Sequence, residues 1–177
     1  MKIEKTDLRL DIGGYGKPGE GHNRGEEFTT VGLHETCEVR ADMGALPWGD
    51  DTVEQIWSSH TLEHAPMIKI NSVLKEWLRV LKPGKRAIVQ VPNFDYVARY
   101  WLTGPNRAWA EQMVFGQQNN EGEFHKSAFT AMSLRADFEA AGFKVLRVEM
   151  RWTHNQETLQ IVAEKPLGAP VGPQADL

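Results

Sequence analysis

The chain has 177 residues, of which 41% are hydrophobic and 25% are charged, ordinary values for one globular domain. Its formal net charge of -4 provides no overall positive field that would attract nucleic acid or an anionic membrane. The single cysteine, Cys37, excludes an intramolecular disulfide and a cysteine-rich metal cluster.

The first seven residues contain no apolar run of the kind that forms a signal peptide. No stretch of the sequence approaches the roughly 20 apolar residues that are needed to cross a bilayer. We therefore expect a cytoplasmic protein with no membrane association.

Short apolar segments separated by helical patterns predict an α/β fold with a largely parallel sheet. Five predicted strands fall in the first 91 residues, at Leu8–Ile12, Glu27–Val31, Glu38–Ala41, Val53–Ser59 and Arg86–Val91. The glycine cluster Gly13-Gly14-Tyr15-Gly16 directly follows the first of them. Two closing strands are predicted at 144–151 and 158–163, with a turn at His154-Asn155.

Two segments have the apolar periodicity of helices. From Ile70 to Leu81, apolar residues recur at steps of three and four, which predicts a helix that packs on the sheet and ends at Lys82-Pro83-Gly84. Leu134, Phe138 and Ala141 mark a second helix, which is predicted to end at Gly142.

Between Asn93 and Lys126 the periodicity weakens, and seven aromatic residues stand among polar and flexible ones. This composition suits a mobile cover over a pocket, and it equally suits a small satellite core beneath a long loop. We expect one domain over residues 1–165, with 93–126 as its cover on the substrate side. Residues 166–177, which include three prolines and two glycines, are expected to be a disordered tail.

The pentapeptide His60-Thr61-Leu62-Glu63-His64 matches the H-x-x-E-H pattern of one group of zinc peptidases. A site of that kind needs the whole pentapeptide inside a helix, whereas here it follows a β-rich segment. Pro66 also disfavours helical backbone at Ala65. No third ligand occurs at a convincing spacing, so we predict no metal site.

In a parallel α/β sheet, ligands bind outside the carboxyl ends of the strands, near the point where the strand order reverses. Those ends carry Gly13-Gly14 after the first predicted strand, Asp42 after the third and Ser59-His60 after the fourth. Glycine lets a ligand approach the backbone, and Asp42 offers a carboxylate to an exocyclic amine. The ordered set indicates a ligand site at this edge of the sheet.

With these segments, the chain resembles the class I S-adenosylmethionine-dependent methyltransferases, particularly the small type-11-like group. The resemblance is carried by Leu10–Gly14, Ala41–Met43, Leu46-Pro47-Trp48, Ser59–His64 and Glu76–Gly84, with weaker similarity at His125–Phe129 and Ala140–Phe143. It covers nearly the whole chain except the tail. It implies a Rossmann-like, doubly wound, seven-stranded sheet that is mostly parallel and has an antiparallel last strand.

The resemblance also implies S-adenosylmethionine as the cofactor. The residues that it implies for cofactor binding are Asp11, Gly13, Gly14, Asp42, Met43, Ser59 and His60. The first three belong to the motif over which the cofactor lies. The next two are placed near adenine, and the last two border the methionine and the transferable methyl group.

Three features depart from the family pattern. Tyr15 stands where a second glycine is expected, and the segment from Lys17 to Glu26 lacks the apolar stripe of a helix. At the end of the second predicted strand, Gly32 occupies the place of the acid that holds the ribose hydroxyls, for which Glu35 substitutes if the register shifts.

The resemblance implies methyl transfer to an unidentified small-molecule or sugar acceptor. Proximity and alignment supply much of the acceleration of such a displacement. A base is needed only where the acceptor must lose a proton. His64 and His125 are the candidate catalytic residues for that role, because histidine titrates near neutral pH.

Two alternatives remain open from the sequence. Gly14–Gly19 fits the G-x-G-x-x-G string of a nicotinamide-dependent oxidoreductase, with Glu35 near the required distance. The residues after this string, 20–25, do not favour a packed helix. The other alternative is a catalytically silent methyltransferase fold that binds a partner protein.

Overall fold

The computed structural model describes residues 7–15, 24–25, 27–153 and 156–168. The strands along them are β1 (Arg9–Ile12), β2 (Thr29–Gly32), β3 (Val39–Arg40), β4 (Val53–Ser59), β5 (Leu81–Pro92), β6 (Lys144–Thr153) and β7 (Gln156–Glu164). The α-helices are α1 (Ile70–Val80), α2 (Phe94–Thr103), α3 (Arg107–Phe115) and α4 (Ala131–Ala141). Short 3-10 helices cover Leu62–His64, Met67–Lys69 and Glu121–Glu123.

The seven strands form one sheet in the order β3-β2-β1-β4-β5-β7-β6. Neighbouring strands are parallel from β3 to β5, and β7 is antiparallel to both β5 and β6. The strand order reverses between β1 and β4, which makes this pair the switch point of the sheet. The predicted Rossmann-like sheet with an antiparallel last strand is confirmed.

The predicted strands are present, but several of their ends differ. β4 spans the predicted Val53–Ser59, whereas β3 is only two residues long. Leu81 adopts extended backbone and pairs with Val53, so β5 begins there. The prediction that α1 runs through Leu81 and ends at Lys82-Pro83-Gly84 is therefore wrong, because the helix stops at Val80.

The apolar face of α1 forms the centre of the core. Ile70, Val73, Leu74 and Trp77 are buried on this face, as the periodicity predicted. The indole nitrogen of Trp77 donates to the Met43 carbonyl at 2.8 Å, so the ring fills the core without burying an unpaired donor. This bond also fixes the segment after β3.

Helix α4 packs beside α1 and has defined ends. Thr130 and Ser133 form a reciprocal capping box at its start. At its end, Gly142 has a φ of 104°, a left-handed conformation that glycine adopts without a side-chain clash. The predicted helix that ends at Gly142 is confirmed.

The segment between Asn93 and Lys126 contains helices that its weak periodicity did not predict. The side chains of Asn93 and Asn106 accept backbone hydrogen bonds at the starts of α2 and α3, the usual role of asparagine at a helix N-cap. The two helices pack together, and ring contacts join four aromatic residues: Tyr96, Tyr100, Trp109 and Trp152. These rings form a half-buried aromatic cluster, in which Trp152 is 65% exposed.

Some expectations fall on residues outside those described. These are the turn at His154-Asn155, most of the segment 17–26 and the tail from residue 169 onward. Within the described residues, no helix is both long and apolar enough to cross a bilayer.

Candidate functional site

The glycine turn after β1 has no room for side chains. Gly13 has a φ of 85°, in the left-handed region that favours glycine. A Cβ at Gly13 would overlap the side chain of Thr61, and one at Gly14 would overlap the carboxylate of Asp11. The Gly13 amide donates to the Val31 carbonyl at 2.7 Å and ties the turn to β2. The backbone of Gly13 and Gly14, without side chains, thus lies at the switch point of the sheet.

Asp11 is a buried carboxyl group beside this turn. Its Oδ2 accepts a hydrogen bond from the Arg24 amide at 2.7 Å. Burial raises the pKa of Asp11 to about 6, although the amide and the charge of Arg24 act in the opposite direction. The Arg24 guanidinium lies 4.0 Å from the ring centroid of Trp57 on β4. Arg24 therefore contacts both strands of the switch point.

The connection from β2 to β3 closes against the glycine turn. The Cys37 thiol donates to the Gly14 carbonyl at 3.4 Å. The ring of Tyr15 lies 5.0 Å, between centroids, from that of His34. Burial raises the pKa of the Cys37 thiol, and the charge of Asp11 acts in the same direction. These contacts bring the ends of β1 and β2 together.

Asp42 and Met43 lie after β3, at the same edge of the sheet. The exposed carboxylate of Asp42 accepts a hydrogen bond from the Gly44 amide at 2.8 Å, which shapes the turn. Met43 is half-buried and packs against the core. In the sheet, β3 lies two strands from β1. At a spacing of ~4.8 Å per strand, the carboxyl ends of β1 and β3 are therefore about 10 Å apart.

Ser59, at the end of β4, begins a polar chain across the sheet. Its hydroxyl donates to Gln90 Oε1 at 3.1 Å, and Gln90 Nε2 donates to Gln160 Oε1 at 2.9 Å. Gln160 Nε2 in turn donates to Glu149 at 2.9 Å. These hydrogen bonds span four strands, satisfy the buried amides of Gln90 and Gln160, and fix the Ser59 side chain.

His60 has a strained backbone. Its φ is 51°, which is uncommon for a residue with a Cβ, and its amide donates to the Gln90 carbonyl at 2.9 Å. The imidazole Nδ1 lies 3.4 Å from Glu63 Oε1. Strain of this kind persists only where the surrounding contacts impose it, and it is concentrated at functional sites.

Glu63, His64 and His125 form a cluster beneath α3. One ligand-type atom from each residue lies within 4.8 Å of the corresponding atoms of the other two. The rings of His64 and His125 are 4.9 Å apart between centroids and meet edge to face at 74°. Glu63 is 1% exposed, and neither of its carboxylate oxygens accepts a hydrogen bond from the described residues.

Backbone hydrogen bonds bring His125 to this place. The amides of Lys126 and Ser127 donate to the Glu63 carbonyl at 2.8 and 3.0 Å. The Ser127 hydroxyl donates to the Ala65 carbonyl at 3.1 Å. These bonds bind the segment after α3 to the 3-10 helix at Leu62–His64.

The charges of the cluster depend on one another. Burial acts to raise the pKa of Glu63, but the nearby imidazoles of His60, His64 and His125 outweigh it and hold that pKa below its usual value. Burial lowers the pKa of His125, although the charge of Glu63 opposes this effect. An ionised Glu63 in so buried a position needs a positive partner.

A pocket lies between this cluster and the helices α2 and α3. Its cavity volume is about 10 Å³, which is room for about one water molecule. Glu63 and His125 provide polar groups in its wall, and the apolar wall includes Phe94, Val97 and Met113. The wall has the composition of a ligand site, apolar with a few convergent polar groups, but an organic molecule fits only if the pocket widens.

The sequence placed His60 and His64 near a ligand site but missed the partnership of Glu63 with His125. The pentapeptide is not an α-helix, as expected, because a 3-10 helix covers only Leu62–His64 and Ala65 is extended. No local spacing in the sequence connects His125 to Glu63, so the sequence did not indicate a third ligand.

The comparisons with known proteins agree with this architecture. A family model described as a methyltransferase domain matches residues 23–89. The sterol 4-C-methyltransferase strm-1 of Caenorhabditis elegans is 33% identical over 91 residues, which are 46% of this chain. The match spans only 27% of that relative's length.

Solved structures share the fold at low sequence identity. A chain from the complex between the Haloferax volcanii Trm112 methyltransferase activator and a methyltransferase aligns with a TM-score of 0.66 and 17% identity, over 96% of this chain and 86% of that one. A SAM-dependent methyltransferase from Methanosarcina mazei aligns with a TM-score of 0.59 and 18% identity, over 93% and 95% of the two chains.

A third structure was determined with ligands. The 1,6-didemethyltoxoflavin-N1-methyltransferase of Burkholderia thailandensis, with bound 1,6-didemethyltoxoflavin and S-adenosylhomocysteine, aligns with a TM-score of 0.58 and 16% identity, over 90% of this chain and 72% of that one. Part of the chain, residues 23–89, thus matches the methyltransferase-domain family, and the chain has the fold of S-adenosylmethionine-dependent methyltransferases of known structure.

Proposed function

We propose that the chain transfers a methyl group from S-adenosylmethionine to a small-molecule or sugar acceptor. The observation that carries this proposal is the bare glycine turn at the switch point of a methyltransferase-type sheet. The family match and the shared fold support it independently.

The cofactor is proposed to lie along the carboxyl edge of the sheet. Its contacts are assigned to the residues implied by the family resemblance: Asp11, Gly13, Gly14, Asp42, Met43, Ser59 and His60. When bound, S-adenosylmethionine supplies an electrophilic methyl group on a sulfonium centre. The separation of about 10 Å between the ends of β1 and β3, estimated from strand spacing, suits a ligand as long as a nucleoside.

The ribose position differs from the family pattern. β2 ends at Gly32, and the exposed Glu35 lies beyond it in the connection to β3. The contact of Tyr15 with His34 closes this part of the edge instead. We propose that these residues, rather than a carboxylate at position 32, border the ribose.

The acceptor is proposed to enter the pocket beneath α2 and α3, which has to widen to admit it. His64 and His125 are the proposed groups for handling an acceptor proton. Each ring has its Nδ1 within hydrogen-bond distance of a backbone carbonyl, 3.1 Å to Phe124 and 2.9 Å to Met113. The Nε2 atoms then carry the lone pairs, which either accept the proton directly or hold an ion that promotes its loss.

The alternatives receive less support. Neither the family match nor the neighbours named above point to nicotinamide chemistry. Most of the string from Gly14 to Gly19 lies outside the described residues. The second alternative, a silent methyltransferase fold that binds a partner protein, has one parallel. The Haloferax volcanii neighbour was solved in a complex with a methyltransferase activator.

Calorimetric titrations of the purified chain with S-adenosylmethionine, S-adenosylhomocysteine and NAD test this proposal. We expect the first two ligands to bind with a stoichiometry of one and NAD to give no response. Transfer of a labelled methyl group to a panel of small-molecule and sugar acceptors then tests activity. Binding of NAD alone, or of none of the three ligands, would overturn the proposal.

A further inference from the structure

We propose that Glu63, His64 and His125 form a binding site for a divalent transition-metal ion, with zinc as the ion best suited to their nitrogen and oxygen ligands. The site's existence does not rest on the proposed methyl transfer. It reverses the expectation from the sequence that the chain has no metal site.

The geometry of the cluster fits a metal centre with two imidazoles and one carboxylate. Its three ligand-type atoms lie within 4.8 Å of one another, so an ion placed between them is near all three. The residues come from two segments that backbone hydrogen bonds join, from the amides of Lys126 and Ser127 to the Glu63 carbonyl. The ligand set is therefore held by the fold.

The hydrogen bonds of the two rings prepare them for ligation. A carbonyl oxygen only accepts, so Nδ1 of His64 donates to Phe124 and Nδ1 of His125 donates to Met113. In the neutral ring, this leaves the lone pair on Nε2. Metal-binding histidines are oriented in the same way, with the other ring nitrogen donating to a carbonyl or a carboxylate.

The burial of Glu63 supports the metal site independently of the geometry of the two rings. It is 1% exposed, and neither of its oxygens accepts a hydrogen bond from the described residues. Its nearest charged contact, at 3.4 Å, is Nδ1 of His60. Buried charges in proteins are paired or coordinate a metal, and an ion between Glu63 and the two rings would satisfy both the charge and the lone pairs.

Three protein ligands leave coordination positions open, as in catalytic zinc sites. Glu63 and His125 also line the pocket, so an open position has access to it. If the proposed methyl transfer is correct, an acceptor hydroxyl bound to the ion loses its proton to water more readily. Its oxygen then forms the new bond to the methyl carbon as the carbon–sulfur bond breaks.

The test uses zinc alone. The full chain is stripped with a chelator and titrated calorimetrically with zinc chloride, and cobalt(II) absorption serves as a second probe of ligand type. The variants are Glu63→Gln, His64→Asn and His125→Asn. An asparagine amide still donates towards the carbonyls of Phe124 and Met113, so the histidine variants remove Nε2 and retain the local hydrogen bond. Glu139→Gln, at an exposed carboxylate on α4 outside the cluster, is the matched control for Glu63→Gln.

We expect one zinc ion per chain, binding at least about tenfold weaker in each cluster variant, and unchanged affinity in the control. Circular dichroism verifies folding. Should Glu63→Gln fail to fold, the half-buried His125 still provides the test. A folded chain that takes up no stoichiometric zinc would overturn the proposal, as would undiminished affinity in the histidine variants. S-adenosylmethionine binding by the zinc-free chain is measured separately, so failure of one proposal is distinguishable from failure of the other.

Discussion

The carbonyl oxygen of Glu63 accepts a hydrogen bond from the amide of Lys126 at 2.8 Å. This bond joins the turn after β4 to the segment after α3, and it places the imidazole of His125 beside the Glu63 carboxylate. The carboxyl edge of the sheet and the pocket beneath α2 and α3 thereby share one wall.

Gly14→Ala should weaken S-adenosylmethionine binding at least about tenfold, equivalent to ~1.4 kcal/mol. A Cβ at this position would overlap the Asp11 carboxylate and displace the turn. Gly49→Ala is the matched control, because its nearest neighbour would be Thr52 Cγ2 at 3.7 Å. Calorimetry of both variants provides the measurement, and equal affinities would argue against a cofactor over the glycine turn.

Asp11 should make stability depend on pH in an unusual direction. Its folded pKa of about 6 exceeds the ordinary aspartate pKa of 3.8, so between these pH values the folded chain binds more protons than the unfolded chain. The Asp11 contribution to the free energy of unfolding therefore falls as pH rises from about 4 to about 6.

The Asn variant of Asp11 removes this contribution. The free energy of unfolding of Asp11→Asn, relative to the parent, should increase across the same pH window by at most about 3 kcal/mol, since one pKa unit corresponds to ~1.4 kcal/mol. Urea denaturation at several pH values gives the comparison. A difference that stays constant with pH would show that Asp11 is not the titrating group.

Arg79 should matter for stability more than an ordinary surface arginine. Its guanidinium pairs with Glu76 and Asp50 and donates to the carbonyls of Leu46 and Trp48. Arg79→Lys removes the planar guanidinium group, whose several N–H donors make these contacts at the same time. We expect the free energy of unfolding to fall by about 1–2 kcal/mol.

The control for Arg79→Lys is Arg135→Lys. Arg135 is exposed on α4 and contacts only Glu139 among the described residues, at 3.3 Å. Exposed pairs of this kind contribute less than about 0.5 kcal/mol. Urea denaturation compares the variants, and equal losses would mean that the contacts of Arg79 do not hold the segment before β4.

Cys37 should report on the glycine turn as the chain's single thiol. Its Sγ donates to the Gly14 carbonyl, and burial raises its pKa, so alkylation near neutral pH should be slower than in the unfolded chain. Saturation with S-adenosylmethionine should slow it further. The rate of iodoacetamide labelling, followed by mass spectrometry, checks this. Labelling as fast as in urea would contradict the observed contact.

The sequence predicted the fold best where one periodicity dominated. α1 has an apolar stripe that packs on the sheet, and α4 carries a glycine at its end. The helices α2 and α3 were missed because few of their side chains are fully buried; Val97 and Ala110 are the buried residues of the pair. Their asparagine caps were the available signal.

The candidate site was predictable only in part. Parallel strands end at the same edge of a sheet, so the sequence could place Gly13, Asp42 and Ser59 near one another. The meeting of Glu63 with His125 depends on backbone hydrogen bonds between segments far apart in the chain. No periodicity or local spacing encodes such a contact.

The central claim is that a sulfonium nucleoside lies over the glycine turn. A crystal structure of the chain with S-adenosylhomocysteine tests this most directly. The account predicts electron density for the nucleoside beside Gly13 and Gly14, with adenine towards Asp42 and the homocysteine towards Ser59. Density at another edge of the sheet, or a ligand-free turn at saturating concentration, would contradict it.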